Sequence, residues 1–437
     1  MKKILTVICC FVCCGFTAAQ GTYSLDQLKQ LAVENNYALH SARNAIEQSK
    51  ELKSEAWTKY FPSVSAFGAG MVANKDLISM DINVPDKLIE LFPALAGLPG
   101  SVGMMKDGML GSVTAMQPVF MGGMIVNGNK LAKVGIEASE IQMEVSEDRV
   151  ELMTEQYYWQ MVTLKEKLKT LGAVHEMLET LEKDVSNMVR VGAVNRNDLL
   201  QVQLRKGDVE SATLELENGL ATIGQLLAQH IGKSGETIDV AASVPTDGVL
   251  SELPSCVDHQ SALAATPEYR LLQKNVESQQ LQRKLKVGQN MPNVAVGATY
   301  SANDMMDSWR SHGMLFATVR VPITSWWGGS HAIKKQSLAL EDAKAQMVDN
   351  GQKLVIRMNN AWAAVETSHK KLQIAHAAIA QAEENLRLNR DYYRVGSTKM
   401  TDLLQAQEQY QQARDRYTDA YATYQTKLLE YRQATGQ

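Results

Sequence analysis

Histidine and methionine are the first residue types of this chain to consider as metal ligands. The sequence has 8 histidines and 21 methionines. His369 and His376 are seven residues apart and would share one face of a helix, but no carboxylate pattern completes a site around them. Thioether sulfur binds copper or silver, and six methionines cluster together: Met71, Met80, Met104, Met105, Met109 and Met116. Ordinary packing accounts for both groups, so we expect no metal and no cofactor.

Sequence signatures of catalysis are missing. The chain has no His-Glu-x-x-His motif, no Gly-x-Ser-x-Gly nucleophile turn, no Walker loop and no dinucleotide fingerprint. An enzyme is therefore not expected. The formal net charge is −4 and charged residues make up 21% of the chain, which gives no electrostatic reason to expect a nucleic-acid partner.

The first nineteen residues have the pattern of a secretory signal peptide. Lys2 and Lys3 precede an apolar run from Ile4 to Phe16, and a small-residue cleavage pattern follows. We expect residues 1–19 to be removed and Gln20 to begin the mature chain. The apolar run contains Cys9, Cys10, Cys13 and Cys14. Lipidation is disfavoured because the residues before Cys13 and Cys14 do not make the small-residue site that it needs. Only Cys256 would remain, so no internal disulfide is expected.

The chain contains the same plan twice. Residues 190–203 and 394–407 share the pattern Arg-Val-Gly-x5-Asp-Leu-Leu-Gln-x-Gln, at an offset of 204 residues. The sequence predicts a first repeat at 20–230, an inter-repeat segment at 231–266 and a second repeat at 267–437. The predicted elements are helix 24–60, strands 63–72 and 111–120 around loop 75–108, long helix 124–190 and return helix 197–230, then helix 267–289, strands 293–302 and 313–321, long helix 330–394 and return helix 401–434.

The long helices are the stronger evidence for the fold class. Both lack proline, and about 65 residues correspond to about 100 Å of helix, which is typical of coiled coils rather than globular domains. Large residues recur every seven positions along the last helix: Leu403, Tyr410, Tyr417, Tyr424 and Tyr431. We interpret this tyrosine stripe as antiparallel helix packing and not as a ligand site.

Strands 293–302 and 313–321 alternate with period 2, whereas strands 63–72 and 111–120 alternate less cleanly. Each is about ten residues long, as a tilted transmembrane strand requires. A small soluble sheet is the alternative, because alternation over ten residues is a weak signal. No mature stretch has the 18 apolar residues of a transmembrane helix, so a membrane role would fall to the strands. Four strands cannot close a barrel in lipid. Two copies would supply eight strands and three copies twelve, and the residues alone do not choose between them.

The duplicated helix–strand–strand–helix plan, the Val-Gly-x5-Asp-Leu-Leu turns and the prolines at strand ends resemble the TolC-type outer-membrane efflux proteins across essentially the whole mature chain. The resemblance implies a mainly α homotrimer: a twelve-stranded barrel in outer-membrane lipid, continued into the periplasm by a tunnel of long helices. It also implies an exit duct for an efflux or type I secretion system, with a periplasmic adaptor and an inner-membrane transporter of RND or ABC type as partners. Loop 75–108 would be extracellular, and residues 231–266 would form a belt around the tunnel.

Site residues follow from the same resemblance. Two turns would contact the adaptor, and they comprise Val191, Gly192, Ala193 and Val194, and then Val395, Gly396, Ser397 and Thr398. Asp402 matches the first acidic residue of the family's periplasmic gate and Tyr393 matches a tyrosine that holds it shut. At the family's second acidic position this chain has Gln405. At the position of the family's gate arginine it has Thr398, and the neighbouring Lys399 would substitute for that arginine. A ring of Asp402 carboxylates would attract cations.

Two other classes of protein remain as alternatives. A secreted periplasmic coiled-coil scaffold without a pore would explain the heptads but not the strand pairs. A periplasmic enzyme is disfavoured because no nucleophile, acid–base pair or metal cluster converges in the sequence.

Overall fold

A computed structural model of the chain describes residues 22–94, 101–104, 106–241, 244–245, 253–304 and 308–437. The expected signal peptide at 1–19 and its cleavage point at Gln20 lie outside the described residues. So do residues 95–100 and 105 of loop 75–108, and residues 242–243 and 246–252 of the inter-repeat segment. None of the helices in the described ranges is long and apolar enough to cross a membrane.

The chain divides into two compact units. The first unit contains the residues up to 45 together with 140–271 and 348–437, and the second contains 46–139 and 272–347. The elements in chain order are β1 (Thr22–Tyr23), α1 (Leu25–Asn35), α2 (Tyr37–Thr58), β2 (Ser63–Val72), β3 (Ile78–Asp81), α3 (Asp86–Leu91), β4 (Ser101–Met104), β5 (Asp107–Met121), α4 (Met124–Arg190), α5 (Arg196–His230), β6 (Asp239–Val240), α6 (His259–Ala262), α7 (Pro267–Gly288), β7 (Asn293–Asn303), β8 (Arg310–Arg320), α8 (Ser325–Arg394) and α9 (Met400–Thr435).

The expected single helix 24–60 is wrong, because the structure breaks it at Asn36. Asn36 has ψ 133°, and its Oδ1 accepts a hydrogen bond from the Ala38 backbone N–H at 2.8 Å. Its Nδ2 donates to the His230 carbonyl at 2.8 Å. Asparagine side chains compete with the helical backbone in this way, so α1 and α2 are separate helices.

The expected start of the second long helix at residue 330 is also wrong, because α8 begins at Ser325 and includes Gly328 and Gly329. A Cβ at Gly329 would fall within bonding distance of the Asn290 side chain. The Trp326 indole donates to the Asn290 carbonyl at 3.0 Å. Gly329 therefore allows α8 to approach the Asn290 side chain closely, and it does not end the helix.

In the first unit, long helices pack through their heptad positions. Tyr417, Tyr424 and Tyr431 of α9 are buried at 4%, 1% and 2% exposure, which confirms the packing interpretation of the tyrosine stripe. One core cluster surrounds Leu28, Tyr158 and Tyr424. A second cluster surrounds Leu178, Val202 and Leu403. The two-residue strands β1 and β6 pair in parallel in this unit.

In the second unit, four strands form one antiparallel sheet in the order β2-β5-β7-β8. Pairing is continuous, from Ser63 opposite Met116 through to Asn303 opposite Arg310, with one irregularity at Pro118. The loop between β2 and β5 contains a further short hairpin, β3 with β4, which the sequence analysis did not predict. The six-residue helix α3 lies in the same loop.

Candidate functional site

The four-stranded sheet has one apolar face. Successive side chains of a strand point to opposite faces, so the register fixes which residues share a side. One row across the sheet is Val64, Ala115, Ala298 and Leu315. The apolar members of this face include Val64, Ala66, Val113, Ala115, Val294, Val296, Ala298, Tyr300, Leu315, Ala317 and Val319, and the polar Gln117 lies on the same side opposite Val296.

This apolar face is exposed in the single chain. Leu315 is 86% exposed, Val64 68% and Tyr300 59%. Branched and aromatic side chains that are exposed together over a whole face form a contiguous apolar patch. Such a patch is far larger than those made by the scattered apolar residues on the surface of a soluble protein. It has the composition of a lipid-facing sheet.

The opposite face carries most of the polar side chains of the sheet. Its members include Ser63, Ser65, Ser112, Thr114, Thr299, Ser301, His312, Thr318 and Arg320, interspersed with apolar residues such as Phe67 and Phe316. The hydroxyls of Thr114 and Thr299 lie 2.9 Å apart across two strands. The Ser301 hydroxyl and His312 Nε2 lie 3.0 Å apart. Apolar residues on one side and polar residues on the other are the pattern of a water-filled barrel wall.

The sheet ends on both sides in an edge strand. Within the described residues, β2 pairs only with β5 and β8 pairs only with β7. An edge strand presents unpaired backbone N–H and C=O groups, and lipid offers them no hydrogen-bonding partner. The sheet therefore needs strands from another chain on both edges before it can lie in a membrane.

The two helix turns of the repeat have the same backbone geometry. Gly192 and Gly396 have φ of 73° and 75°. After α4, the N–H groups of Ala193 and Gly192 donate to the carbonyls of Met188 and Val189 at 2.9 and 3.0 Å. After α8, Ser397 and Gly396 repeat both bonds, to Tyr392 and Tyr393, at 2.8 and 3.0 Å.

Each long helix therefore ends in a Schellman motif that needs a positive φ at glycine. The valine before each glycine is exposed, at 75% for Val191 and 74% for Val395. In the first turn Ala193 is exposed and Val194 is half-buried, and in the second Ser397 is exposed.

Asp402 lies in the first turn of α9, exposed to solvent. Its Oδ2 accepts from the Thr398 hydroxyl at 3.0 Å and from the Lys399 backbone N–H at 3.4 Å. The carboxylate thus caps the start of α9, where the helix dipole favours a negative charge. The structure brings Thr398, Lys399 and Asp402 together, whereas Gln405 is exposed one turn further along α9.

Tyr393 is half-buried in the second core cluster, beside Met400 and Leu403. Its hydroxyl is buried without a hydrogen-bonding partner among the described residues. Burial raises the pKa of the Tyr393 phenol, and the nearby Asp198 carboxylate raises it further. The phenol therefore stays neutral and can only act as a hydrogen-bond donor or acceptor.

A buried polar link that the sequence analysis missed joins α5 to α9. Gln407 is fully buried, and its Oε1 accepts from Arg205 Nε at 3.2 Å. Its Nε2 has no partner among the described residues. Gln407 and Tyr393 line the same cavity of about 40 Å³. A sequence signal for this link exists, because Gln407 is a polar residue on the apolar stripe of α9, four residues after Leu403.

Both histidines of the seven-residue pair pack against tyrosines of α9. His369 packs on Tyr424 and His376 on Tyr417, with ring centroids 5.3 and 5.5 Å apart. No group of three or more histidine, cysteine, aspartate or glutamate side chains among the described residues could hold a metal ion. Of the clustered methionines, Met80 and Met109 are exposed, and Met105 lies outside the described residues.

Comparison with solved structures shows the same fold over almost the whole chain. The outer membrane channel CmeC of Campylobacter jejuni superposes with a TM-score of 0.78 at 16% identity, covering 94% of this chain and 85% of that chain. The open-state outer membrane channel MtrE of Neisseria gonorrhoeae gives 0.74 at 16% identity, covering 94% and 88%. CusC gives 0.79 at 13% identity, covering 95% and 92%.

Sequence comparison adds a family match over part of the chain. No curated protein sequence matches the chain significantly. Residues 259–437, which contain the second repeat, match the model of the outer membrane efflux protein family. The family consists of channels and not of enzymes. The second repeat is thus similar to the outer membrane efflux protein family, and the whole chain shares the fold of outer membrane channels.

Proposed function

We propose that three copies of this chain form the outer-membrane exit duct of a tripartite efflux or type I secretion system, which conducts substrates passively from the periplasm to the exterior. The observation that carries the proposal is the four-stranded sheet with an exposed apolar face and two open edges. The solved relatives are described as outer membrane channels, and CusC as forming a transmembrane channel.

The strand count allows closure by identical copies. Neighbouring strands of the sheet alternate in direction, so β2 and β8 run in opposite directions. The β8 strand of one copy can therefore pair in antiparallel fashion with β2 of the next, and every edge is used. Two copies would close eight strands and three copies twelve, and the resemblance to the outer membrane efflux protein family supports three.

Partners follow from the same family. An exit duct in the outer membrane has no energy source of its own, so it has to work with an inner-membrane transporter, of RND or ABC type, and a periplasmic adaptor. The exposed valines at the two turns, Val191 and Val395, offer apolar contact points on otherwise polar helix ends. They support the proposal that Val191–Val194 and Val395–Thr398 meet the adaptor.

Two substitutions on one strand test the membrane assignment. Leu315→Arg puts a charge on the apolar face of β8, at a cost of about 2–4 kcal/mol near the bilayer midplane. It should remove heat-modifiable trimers from the outer-membrane fraction and abolish conductance in planar bilayers. Thr318→Arg, three residues later on the polar face, is the matched control and should retain both. Equal behaviour of the two variants, or a chain that stays soluble in the periplasm as a scaffold would, contradicts the proposal.

The gate is tested at Asp402. A ring of three carboxylates at the entrance of the duct would attract cations and repel anions. Asp402→Asn removes the charge but keeps an amide oxygen for the Thr398 hydroxyl, so the start of α9 should stay intact. We expect lower cation selectivity or higher conductance in planar bilayers. Channels with unchanged conductance and selectivity would contradict the gate assignment without affecting the membrane assignment.

A further inference from the structure

An exposed aromatic cluster lies immediately before β2. The Trp57 ring contacts Tyr60 and Phe61, with ring centroids 5.0 and 6.3 Å apart. Trp57 is nevertheless 58% exposed and Phe61 55%. Aromatic rings that are ordered against each other and still leave half of their surface uncovered are typical of a contact site.

A groove adjoins this cluster. It is lined by the end of α2, the start of α4 and the strand ends between them, and has a volume of about 890 Å³. Its lining is mainly apolar and includes Leu52, Phe61 and Ile125. Gly128 and Gly135 form part of the α4 wall, and a Cβ at either position would meet no atom within 4 Å. The groove therefore has room for large side chains from outside the chain.

The other edge of the sheet presents an exposed tryptophan. Trp327 lies in the first turn of α8, seven residues after the end of β8, and is 79% exposed. Its neighbour Trp326 is held by the chain itself through the bond from its indole to the Asn290 carbonyl. Ile323, between β8 and α8, is 66% exposed. Two large apolar side chains thus follow the edge strand with much of their surface uncovered.

Antiparallel closure brings these two surfaces together. When β8 of one copy pairs with β2 of the next, the end of β8 lies beside the beginning of β2. The residues that follow β8 then face the residues that precede β2 on the neighbouring copy. The occupant of the groove is therefore a second copy of this chain, because the open strand edges place it there.

We propose that Trp327 and Ile323 of one copy dock against the Trp57, Tyr60 and Phe61 cluster and the adjoining groove of the next copy. This inference rests on the proposed function, and it deepens that function by naming the residues that join the subunits beside the barrel. The contact is the apolar continuation of the strand pairing, and it covers side chains that the single chain leaves in water.

Paired cysteines test the contact in the intact protein. The parent carries Cys256→Ser, so that no native cysteine remains after the expected signal peptide. Trp327→Cys is combined with Phe61→Cys at the start of β2, or with Val72→Cys at its end as the matched control. Val72 is 91% exposed, and nine residues of strand separate it by about 30 Å from the expected contact. Membranes are treated with a mild oxidant or a short bismaleimide and analysed on denaturing gels.

We expect covalent dimers and trimers with Phe61→Cys and none with Val72→Cys. Heat-modifiable trimers that give no product with Phe61→Cys would overturn the contact and leave the exit duct standing. Loss of trimers in the cysteine-free parent itself would count against the proposed function.

A second measurement separates subunit contact from lipid contact. Trp327→Ala should lower the temperature at which the trimer dissociates, and Trp327→Phe should restore most of it. A tryptophan that only faced lipid headgroups would leave the dissociation temperature unchanged in both variants. That result would also overturn the contact.

Discussion

Arg205 of α5 donates hydrogen bonds to two glutamines of α9, from Nε to Gln407 at 3.2 Å and from Nη2 to Gln411 at 2.9 Å. Because α5 and α9 are the return helices of the two repeats, this guanidinium joins the two hairpins of the first unit. Gln407 is fully buried, so its amide oxygen depends on a partner from the protein.

Removal of this link should loosen the two hairpins. Arg205→Ala leaves the Gln407 oxygen without a donor, and a lost hydrogen bond to a charged group costs about 2 kcal/mol. We expect a lower temperature of trimer dissociation and more frequent channel opening in planar bilayers. Arg190→Ala is the control, since the Arg190 side chain bonds to Asn187 of its own helix. Channel opening and trimer dissociation that are identical in Arg205→Ala and the parent would contradict a role of this link in holding the two hairpins together.

Two tyrosines one heptad apart should respond differently to loss of the hydroxyl. The Tyr424 hydroxyl is buried without a hydrogen-bonding partner among the described residues. The Tyr431 hydroxyl accepts from the Val257 N–H at 3.1 Å and lies 3.1 Å from His259 Nε2. Tyr431→Phe should therefore lower stability by about 1 kcal/mol, whereas Tyr424→Phe should be neutral or stabilising. The melting temperature of the detergent-solubilised protein measures both, and equal losses would contradict the assignment of hydrogen bonds.

The turn glycines should resist substitution and a helical glycine should not. Gly192→Ala and Gly396→Ala force alanine into a left-handed conformation, at a cost of about 1–2 kcal/mol each. Gly207 lies inside α5, and a Cβ there would meet no atom within 4 Å. Gly207→Ala should therefore stabilise the chain by about 0.5–1 kcal/mol. Thermal melts should show a lower melting temperature for Gly192→Ala and Gly396→Ala and a higher one for Gly207→Ala. A shift of the same sign in all three variants would contradict the turn geometry.

Protonation of Asp148 should make the first unit more stable at mildly acidic pH than at neutral pH. Burial raises the pKa of this carboxyl from 3.8 to about 6, and Glu151, Glu268, Glu144 and Glu147 add to the shift through repulsion. The folded chain therefore binds the proton more tightly than the unfolded chain. The resulting stabilisation is complete below about pH 4 and is lost as the pH rises through about 6.

Asp148→Asn mimics the protonated state. It should raise the melting temperature at pH 7.5 and leave it almost unchanged at pH 3.5. Glu151→Gln should move the midpoint of the pH dependence of the parent to lower pH, because it removes the strongest repulsive neighbour. A gain for Asp148→Asn that is the same at both pH values would show that burial of the charge is not the cause.

The duplicated plan and the long helices could be predicted from sequence because their signals are local. The absence of proline over about 65 residues, the heptad spacing and the Val-Gly turns each depend only on nearby residues. Period-2 alternation located the second pair of strands, and the internal repeat with its prolines at strand ends located the first pair. The break at Asn36 could not be predicted, since the Asn36 side chain is held by His230, which is distant in sequence.

The candidate site was predictable in part. The positions of Asp402, Thr398 and Lys399 follow from the turn motif and the resemblance, and the contacts among them are local to one helix start. The link from Arg205 to Gln407 spans 202 residues. No local pattern reports it, because the pairing depends on how two hairpins pack.

By itself the sequence determined the long helices and the four strands of the main sheet, since hydrophobic period, proline and glycine act on neighbouring residues. It also determined that four strands are too few to close a barrel. Only the tertiary structure decided the strand order β2-β5-β7-β8, and with it which side chains share the apolar face and which strands remain open. Strand order depends on contacts between the two repeats, because side-chain burial and backbone pairing involve strands that are neighbours in the sheet but distant in sequence.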